Sequence, residues 1–517
     1  MLKQTFTGTW LPAWVPESTL TLSFLLIICS IVQSATGGYD GSMLNGLNIL
    51  PSYTDYFNLN PATTGLNTAS VFIGGFFGPL VSGVAADSLG RRPAIFWGCV
   101  ITLVGVLLQT AAQNIAMFVV ARIILGFGSQ VSGIAGGVYL SETFPSRWRA
   151  WGVGLLNDFY YVGALIAAGI TLGTGTWQST WAWRAPSLFQ GIFSLGCIII
   201  LPLIPESPRW LVNKGHLEEA RIVVAQTNAN GDLLDPVVLA VYKEIVDTLR
   251  WEKEERKVMT SKQILKDKVS RKRLLIGMSA GPFSCIAGNI IASYYLGAEL
   301  DTAGITDSLQ QLKANVVLNV WCLGCCLGGT HMAAKWGRKP TALLTQSLLI
   351  LCLFIIGGLS KIYADDPDGA SKSLIYGDVA VMFLFQGFYS IAWTPLLYLY
   401  PAEVMNYSIR ANGMAFSSFM LNACAVLLVF VMPIGIANIG WKMYMINGGW
   451  DIITLVLIAV YWVETKGRTL EEIDEIFEGE KHSNVPDVEL VRSGKVHLDV
   501  AAVERQLDTV TEEKKLE

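Results

Sequence analysis

Twelve apolar runs dominate this sequence of 517 residues. Each run has about 20 residues, enough for a helix to cross the ~30 Å hydrocarbon core of a bilayer. Because backbone groups inside lipid must pair within their own segment, repeated runs of this length predict an all-α membrane protein. The runs lie near residues 18–40, 68–86, 94–112, 115–139, 150–172, 183–204, 273–297, 311–333, 341–359, 377–400, 411–436 and 443–463.

Composition agrees with that prediction. Hydrophobic residues make up 52% of the chain and charged residues only 15%, against roughly 25% in soluble domains. The net charge of −4 gives no indication of a nucleic-acid partner. Cys322, Cys325 and Cys326 form a CxxCC run, but the cysteines lie in or beside apolar runs, which favours packing residues over disulfides or metal ligands. We therefore predict no metal site and no cofactor.

Basic residues are divided unequally between the loops. The loops after predicted helices 2, 4, 8 and 10 carry Arg or Lys, as does the long segment 205–272, whereas loops 45–67, 109–114 and 173–182 carry none. The positive-inside rule then places both termini and residues 205–272 in the cytosol. That segment alternates apolar and charged residues, which predicts short amphipathic helices.

The chain also contains an internal repeat. Three motif pairs recur at nearly the same separation, namely Gly90 with Gly337, Glu142 with Glu403 and Glu206 with Glu464. Such a repeat indicates two parallel halves of six helices each. The predicted domains are a cytosolic N-terminus (1–17), an N-terminal six-helix bundle (18–204), a cytosolic linker of amphipathic helices (205–272), a C-terminal six-helix bundle (273–463) and a cytosolic tail (464–517) that is largely disordered after about 480.

Seven segments resemble, in order, the signatures of the sugar porter family of the major facilitator superfamily. They are residues 38–40, 83–92, 122–128, 183–187, 205–211, 401–403 and 463–470. Residues 38–46 are most similar to the fungal branch that contains lactose and cellodextrin permeases. The resemblance implies the major facilitator fold, twelve transmembrane helices in two six-helix bundles, in a transporter of the plasma membrane.

Ionisable residues inside a membrane helix are expensive and indicate function by default. Asp40 and Arg122 match the helix 1 aspartate and helix 4 arginine that sugar–proton symporters of the family use as a proton-coupling pair. A permanent salt bridge between the two helices is the alternative. Asp158 and Asp451 are further carboxylates of this kind. For Asp158 a second proton site, a substrate contact and a position outside the cavity all stay open.

Amide and aromatic side chains in the apolar runs are candidates for sugar binding, because amides satisfy ring hydroxyls and aromatic faces pack against C–H groups. The family resemblance implies sugar contacts for Asn289, Trp393 and Asn422, and a place near the outer gate for the pair of tyrosines. Ordinary hydrogen bonding between helices is the alternative for each. The candidates are Asn157, Asn289, Tyr294, Tyr295, Asn319, Trp393 and Asn422. Residues 283–285 are Phe-Ser-Cys where the family has glutamine, which weakens the case for a simple hexose.

Opposite charges recur at the predicted cytosolic helix ends of both halves. The resemblance implies a cytosolic gate whose charges pair across the halves when that side is closed and separate when it opens. Solvated charges that only set topology are the alternative. Ala334 stands where the family has aspartate, so the gate is expected to be asymmetric or its closed state weaker. The gate candidates are Asp87, Arg91, Arg92, Glu142, Arg149, Glu206, Lys335, Arg338, Glu403, Arg410 and Glu464.

The predicted function is transport of a mono- or disaccharide by alternating access, with proton symport through Asp40 and Arg122. The predicted partners are a small molecule, with sugar favoured, protons and the lipid bilayer. The sequence contains no supported catalytic arrangement and no Gly-rich phosphate loop, so we predict no enzyme. The alternatives are a facilitator, a transporter that imports or exports a polyol, organic acid or secondary metabolite, and a nutrient sensor that does not transport.

Overall fold

Helices account for all of the regular structure that can be described. The computed structural model describes residues 15–144, 146–255, 266–289, 307–365, 372–405 and 407–468, with isolated positions at 296, 300 and beyond 472. No strand occurs among these residues. Ten of the described helices are long and apolar enough to cross a membrane, judged by length and composition.

Six long helices form the N-terminal half. They are α1 (Thr19–Ile49), α2 (Pro61–Leu89), α3 (Arg91–Thr110), α4 (Ile115–Thr143), α5 (Ser146–Thr174) and α6 (Trp181–Leu203). The sixth helix is built from Trp181–Phe189, Gly191–Ile200 and a 3-10 turn at Leu201–Leu203. A short helix, Pro51–Thr54, follows α1.

Six more long helices form the C-terminal half. They are α7 (Lys268–Ile286), α8 (Ser308–Lys335), α9 (Arg338–Asp365), α10 (Lys372–Val404), α11 (Tyr407–Ile439) and α12 (Lys442–Tyr461). Between the halves, helices Pro208–Lys214, Leu217–Asn228 and Pro236–Glu255 bury apolar side chains against one another. The prediction of an all-α protein with twelve long helices in two groups of six is confirmed.

Several helices extend beyond the apolar runs that predict them. The first run ends near residue 40, but α1 continues to Ile49 because side chains such as Tyr39 and Met43 are buried inside the protein instead of facing lipid. The second run begins near residue 68, but α2 starts at Pro61. There the Asn60 side chain accepts a hydrogen bond from the backbone N–H of Thr63 and caps the helix.

Glycines allow helices within each half to approach closely. A Cβ atom added to Gly38 on α1 would lie 1.7 Å from the carbonyl oxygen of Tyr160 on α5. A Cβ added to Gly329 on α8 would lie 1.9 Å from the carbonyl oxygen of Ile391 on α10. Backbones can approach this closely only where no side chain intervenes.

Two helix pairs join the halves along their length. Helix α2 packs on α11, where the rings of Phe76 and Phe419 lie 4.3 Å apart. Helix α5 packs on α8, and we call this contact the α5–α8 seam. It runs from Gly175 beside Leu312 at one end to residues 158 and 330 at the other.

The charged motifs of both halves lie together at one end of the protein, which we call the motif side. Ion pairs within each half hold its motif together, and Arg410 of the C-terminal half approaches Glu142 of the N-terminal half. The motif side contains Gly90, Glu142, Glu206, Gly337, Glu403 and Glu464.

Candidate functional site

A cavity of about 220 Å³ lies between the two halves. Helices α1, α2, α4 and α5 line it from one half, and α7, α10 and α11 line it from the other. Aromatic and apolar surface alternates with hydroxyl, amide and carboxylate groups. The polar lining residues are Ser34, Asp40, Ser129, Gln130, Asn157, Tyr160, Tyr161, Ser284, Asn289, Tyr389, Thr394, Tyr398 and Asn422.

A hydrophobic cluster closes the cavity toward the motif side. Ile134 and Val138 lie on α4 between the cavity residue Gln130 and the motif residue Glu142. They pack with Ala402 of α10 and with Met414 and Ala415 of α11, all in the other half. The halves are therefore in contact on the motif side of the cavity.

Asp40 and Arg122 form a buried ion pair at the edge of the cavity. Both guanidinium Nη atoms donate to the two carboxylate oxygens of Asp40, each over 2.9 Å. Asp40 is 3% exposed and Arg122 is fully buried. The sequence prediction that these two residues pair is consistent with this geometry. Their role in proton coupling stays a prediction.

Further hydrogen bonds hold both members of the pair in place. Arg122 also donates through Nε to the backbone carbonyl of Asn67 at 3.0 Å and to the Ser70 hydroxyl at 3.2 Å. Asp40 accepts a third bond from the side-chain amide of Gln190 on α6, at 3.0 Å. Removing one member of such a buried pair typically costs about 3–5 kcal/mol, because the other charge is left without a partner.

Four of the seven predicted substrate residues line the cavity, namely Asn157, Asn289, Trp393 and Asn422. Asn319 does not line it, because its amide is used between α8 and α1, where it donates to Asn315 and to the Ser42 hydroxyl. Tyr294 and Tyr295 lie outside the described residues.

Hydrogen bonds already occupy some of these groups. The Asn157 amide donates across the halves to the carbonyl oxygen of Thr394 at 2.6 Å, and its oxygen accepts from the Ser34 hydroxyl at 3.2 Å. Trp393 is fully buried, and its indole N–H donates to Gln346 at 3.0 Å. In this conformation Trp393 therefore borders the cavity without exposing its ring.

Sequence reasoning missed several residues of the site. Gln130 accepts a hydrogen bond from the Ser418 hydroxyl across the halves, at 2.6 Å. Gln130 and Gln190 are both amides within apolar runs, a signal that could have identified them. The four cavity tyrosines, 160, 161, 389 and 398, have no such signal, because tyrosine is common throughout this chain.

The first-half motif is a buried network around Arg91. Its guanidinium donates to Glu142 over 2.9 and 3.0 Å. Glu206, which follows α6, accepts the backbone N–H groups of Arg91 and Arg92 at 3.1 Å each and so caps α3. Burial raises the pKa of Glu206, although these N–H groups and the nearby arginines oppose that shift. Gly90 is required at this cap because its φ is +109° and a Cβ would lie 2.7 Å from the Glu206 carboxylate.

The second half repeats this network with one omission. Arg338 donates to Glu403 over 3.0 and 2.7 Å, and Glu464 accepts the backbone N–H groups of Arg338 and Lys339 at 3.0 Å each. In the first half Arg91 also pairs with Asp87 at 3.2 Å. The corresponding position holds Ala334, so Arg338 lacks this partner.

Most gate charges pair within their own half, which differs from the expectation of pairing across the halves. Among the described side chains, Arg410 is the gate residue that reaches the other half, with its Nη1 3.8 Å from Glu142. The backbone of Arg149 is described as part of α5, but its side chain lies outside the described set. Sequence shows that the charges are present, but not which helix ends they join.

Restoring the missing carboxylate is expected to stabilise the second half slightly. Ala334→Asp would place a carboxylate one turn before Arg338, as Asp87 is placed before Arg91, and we expect a gain of about 0.3–0.5 kcal/mol. The effect is small because the Asp87 side chain is 43% exposed. Thermal unfolding in detergent measures the change, with Asp87→Ala as the matched loss. A destabilised Ala334→Asp protein would contradict the equivalence of the two positions.

A family model described as "Sugar (and other) transporter" matches residues 26–477. The chain belongs to this family. The predicted resemblance to sugar porters of the major facilitator superfamily is thereby confirmed, and membership in a transporter family indicates a transporter and not an enzyme.

Curated relatives align over most of the chain. An "MFS-type transporter oryC" from Aspergillus oryzae is 29% identical, with 91% of this chain and 86% of the relative covered. A "High-affinity glucose transporter" from Kluyveromyces lactis is also 29% identical, with 85% and 82% covered. Both relatives are fungal, which is consistent with the fungal branch that residues 38–46 resemble.

Solved structures show the same fold. The proton:xylose symporter XylE bound to 6-bromo-6-deoxy-D-glucose matches with a TM-score of 0.78 at 19% identity, covering 89% of this chain and all of XylE. The inward-open conformation of XylE from E. coli matches with a TM-score of 0.63. The protein therefore has the major facilitator fold.

Proposed function

We propose that the protein carries a sugar across the membrane by alternating access of its two halves to the central cavity, in symport with protons. The observation that carries this proposal is the position of Asp40. The same carboxylate lines the cavity and holds Arg122 through two hydrogen bonds. A proton that enters the cavity can thus reach the one group that ties α1 to α4 by charge.

Protonation of Asp40 would change the contact between these helices. The neutral carboxyl group would lose the charge attraction to Arg122, whereas Arg122 would keep its bonds to Asn67 and Ser70 on α2. Helix α1 would then be free to move relative to α2 and α4. Proton binding in this way favours one of two conformations, and substrate binding between the halves favours the same one.

The orientation of the protein is part of the proposal. We place the motif side, both termini and the linker helices in the cytosol, because the basic loops lie on that side. We infer the plasma membrane from the family resemblance alone. The closed cluster around Ile134 and Val138 then separates the cavity from the cytosol. Protease accessibility of tags at each terminus in sealed cells tests this orientation.

A sugar is favoured by the relatives and by the cavity. The Kluyveromyces lactis relative is named a glucose transporter. Asn157, Asn289 and Asn422 bring three amides to the cavity, and tyrosines add aromatic faces with hydroxyl groups. This combination suits ring hydroxyls and C–H groups of a mono- or disaccharide.

A non-sugar substrate is the second candidate, and the α7 surface favours it. Ser284 and Cys285 line the cavity there, and neither offers the paired donor and acceptor of a glutamine side chain. A polyol, an organic acid or a secondary metabolite would depend less on such a group. The Aspergillus oryzae relative is named only an MFS-type transporter. A nutrient sensor would bind a ligand without moving it.

Uptake into proteoliposomes separates these candidates. With labelled glucose, xylose, lactose and cellobiose, we expect at least one sugar to accumulate under an inward proton gradient, and a protonophore to remove that accumulation. Equal uptake with and without the gradient would indicate a facilitator. If no sugar accumulates and none competes in binding, the sugar assignment is wrong.

A further inference from the structure

A second carboxyl group lies on the α5–α8 seam, outside the cavity lining. Asp158 of α5 is fully buried. One carboxyl oxygen accepts a hydrogen bond from the Thr330 hydroxyl of α8, in the other half of the protein. The other oxygen, Oδ1, has no hydrogen-bond partner among the residues that the structure describes. The Cys326 thiol of α8 approaches the backbone carbonyl of Asp158 at 3.7 Å, so the two halves are in close contact here.

No cation faces Asp158 among the described side chains. The described groups that contact Asp158 are the Cys326 thiol and the Thr330 hydroxyl of α8. On the same stretch of α5, Asn157 meets Ser34 of α1 and Thr394 of α10, and Tyr161 meets Ser390 of α10. All of these are uncharged in their ordinary states. His331 follows Thr330 on α8, but its side chain is exposed. Asp158 thus differs from Asp40, whose charge Arg122 balances.

An ionised carboxylate in such a place is costly. Burying a charge without a partner costs several kcal/mol, and one hydroxyl donor offsets only part of it. A neutral, protonated carboxyl group has a much smaller burial cost. When the halves separate near Thr330, water can reach the carboxyl group and the ionised form is solvated again.

We infer that Asp158 is a second proton-binding site, which holds a proton while the α5–α8 seam is closed and releases it to water when the seam opens. This inference rests on the proposed alternating access, but not on the role of Asp40. The proton moves between water and the Asp158 carboxyl group, with no other bond formed or broken. Because the closed form binds the proton more tightly, acid favours closure on the motif side.

The distance between the halves as a function of pH tests this inference. Spin labels would be attached through unnatural amino acids at the exposed positions Ser88 and Trp336, one in each half, in protein reconstituted in liposomes. Between about pH 5 and 9 we expect the ratio of open to closed protein to rise with pH. Without the Asp158 proton, the dependence of this ratio on pH is expected to be weaker. In Asp158→Asn the ratio should lose one proton's contribution to its slope against pH, which is a factor of up to about ten per pH unit.

Asp451→Asn is the matched control. Asp451 is also fully buried, but it lies on α12 within the C-terminal half, so its surroundings do not change when the halves separate. We expect the pH response of this variant to equal that of the unmodified protein.

Thr330→Val adds a second test that retains Asp158. It removes a hydroxyl that stabilises the ionised carboxylate in the closed protein. The pH at which the response levels off, where the closed protein itself ionises, is therefore expected to rise.

Three results would overturn the inference. The first is an unchanged pH slope in Asp158→Asn. The second, which applies even if that variant fails to fold, is a response that levels off at an unchanged pH in Thr330→Val. The third is a protein in which the labels never separate at any pH or with any tested sugar, and this result would also overturn alternating access. If Asp40→Asn no longer accumulates substrate under a proton gradient, that result by itself leaves the inference intact.

Discussion

Replacing Asp40 with asparagine is expected to abolish accumulation of the substrate against its gradient while exchange across the membrane continues. Asparagine has the size of aspartate but cannot carry the proton. Arg122 loses its charged partner and keeps its bonds to Asn67 and Ser70. Under an inward proton gradient the ratio of internal to external substrate should fall to about 1, whereas counterflow with substrate on both sides should persist.

A control carboxylate distinguishes coupling from a general loss of charge. Asp378 lies on α10 and does not line the cavity, so Asp378→Asn should accumulate substrate as the unmodified protein does. Counterflow measures transport without coupling, and the accumulation ratio measures coupling. Accumulation that persists in Asp40→Asn would show that the pair with Arg122 is a permanent salt bridge, while membership in the family would stand.

Gly38→Ala is expected to prevent correct packing of α1 on α5. The added Cβ would lie 1.7 Å from the carbonyl oxygen of Tyr160, and backbone on both sides leaves no flexible side chain to move aside. Overpacking typically costs about 1–3 kcal/mol, and a clash between two backbones is expected at the upper end of that range. We expect either no monodisperse protein in detergent or a midpoint of thermal unfolding lower by roughly 3 °C or more.

The neighbouring glycine provides the control. Gly37 lies one residue earlier on α1, and a Cβ added there would meet no heavy atom within 4 Å. Gly37→Ala should therefore unfold at the temperature of the unmodified protein, although it lines the cavity and can alter transport. Equal thermal stability of the two variants would contradict the close approach of α1 to α5.

Hydropathy predicts that the twelve helices exist, but it does not predict where they end. A run of apolar residues ends where the chain stops facing lipid, whereas a helix ends where its backbone is capped. Helix α2 begins at the Asn60 cap, several residues before its apolar run. Helix α1 continues through Tyr39 and Asp40 because a helix in the centre of a bundle can bury polar groups against its neighbours.

The sequence predicts which residue types form the candidate site, but not which residues contact one another. Rare charges in apolar runs identify Asp40 and Arg122, because lipid excludes unpaired charge. Nothing along the chain shows that Gln190 completes this site, or that Asn319 faces Ser42 instead of the cavity. Those contacts depend on the rotation of each helix about its axis, which an all-round apolar sequence does not specify.

The two carboxylate caps restrict which parts of the protein can move. Glu206 follows α6 and binds the start of α3, and Glu464 follows α12 and binds the start of α9. Each cap fastens the last helix of a half to the third, so it restricts motion between those two helices. Motion of one half past the other is opposed by the contacts between them, which include, among the described residues, the Arg410–Glu142 pair and the α2–α11 and α5–α8 contacts.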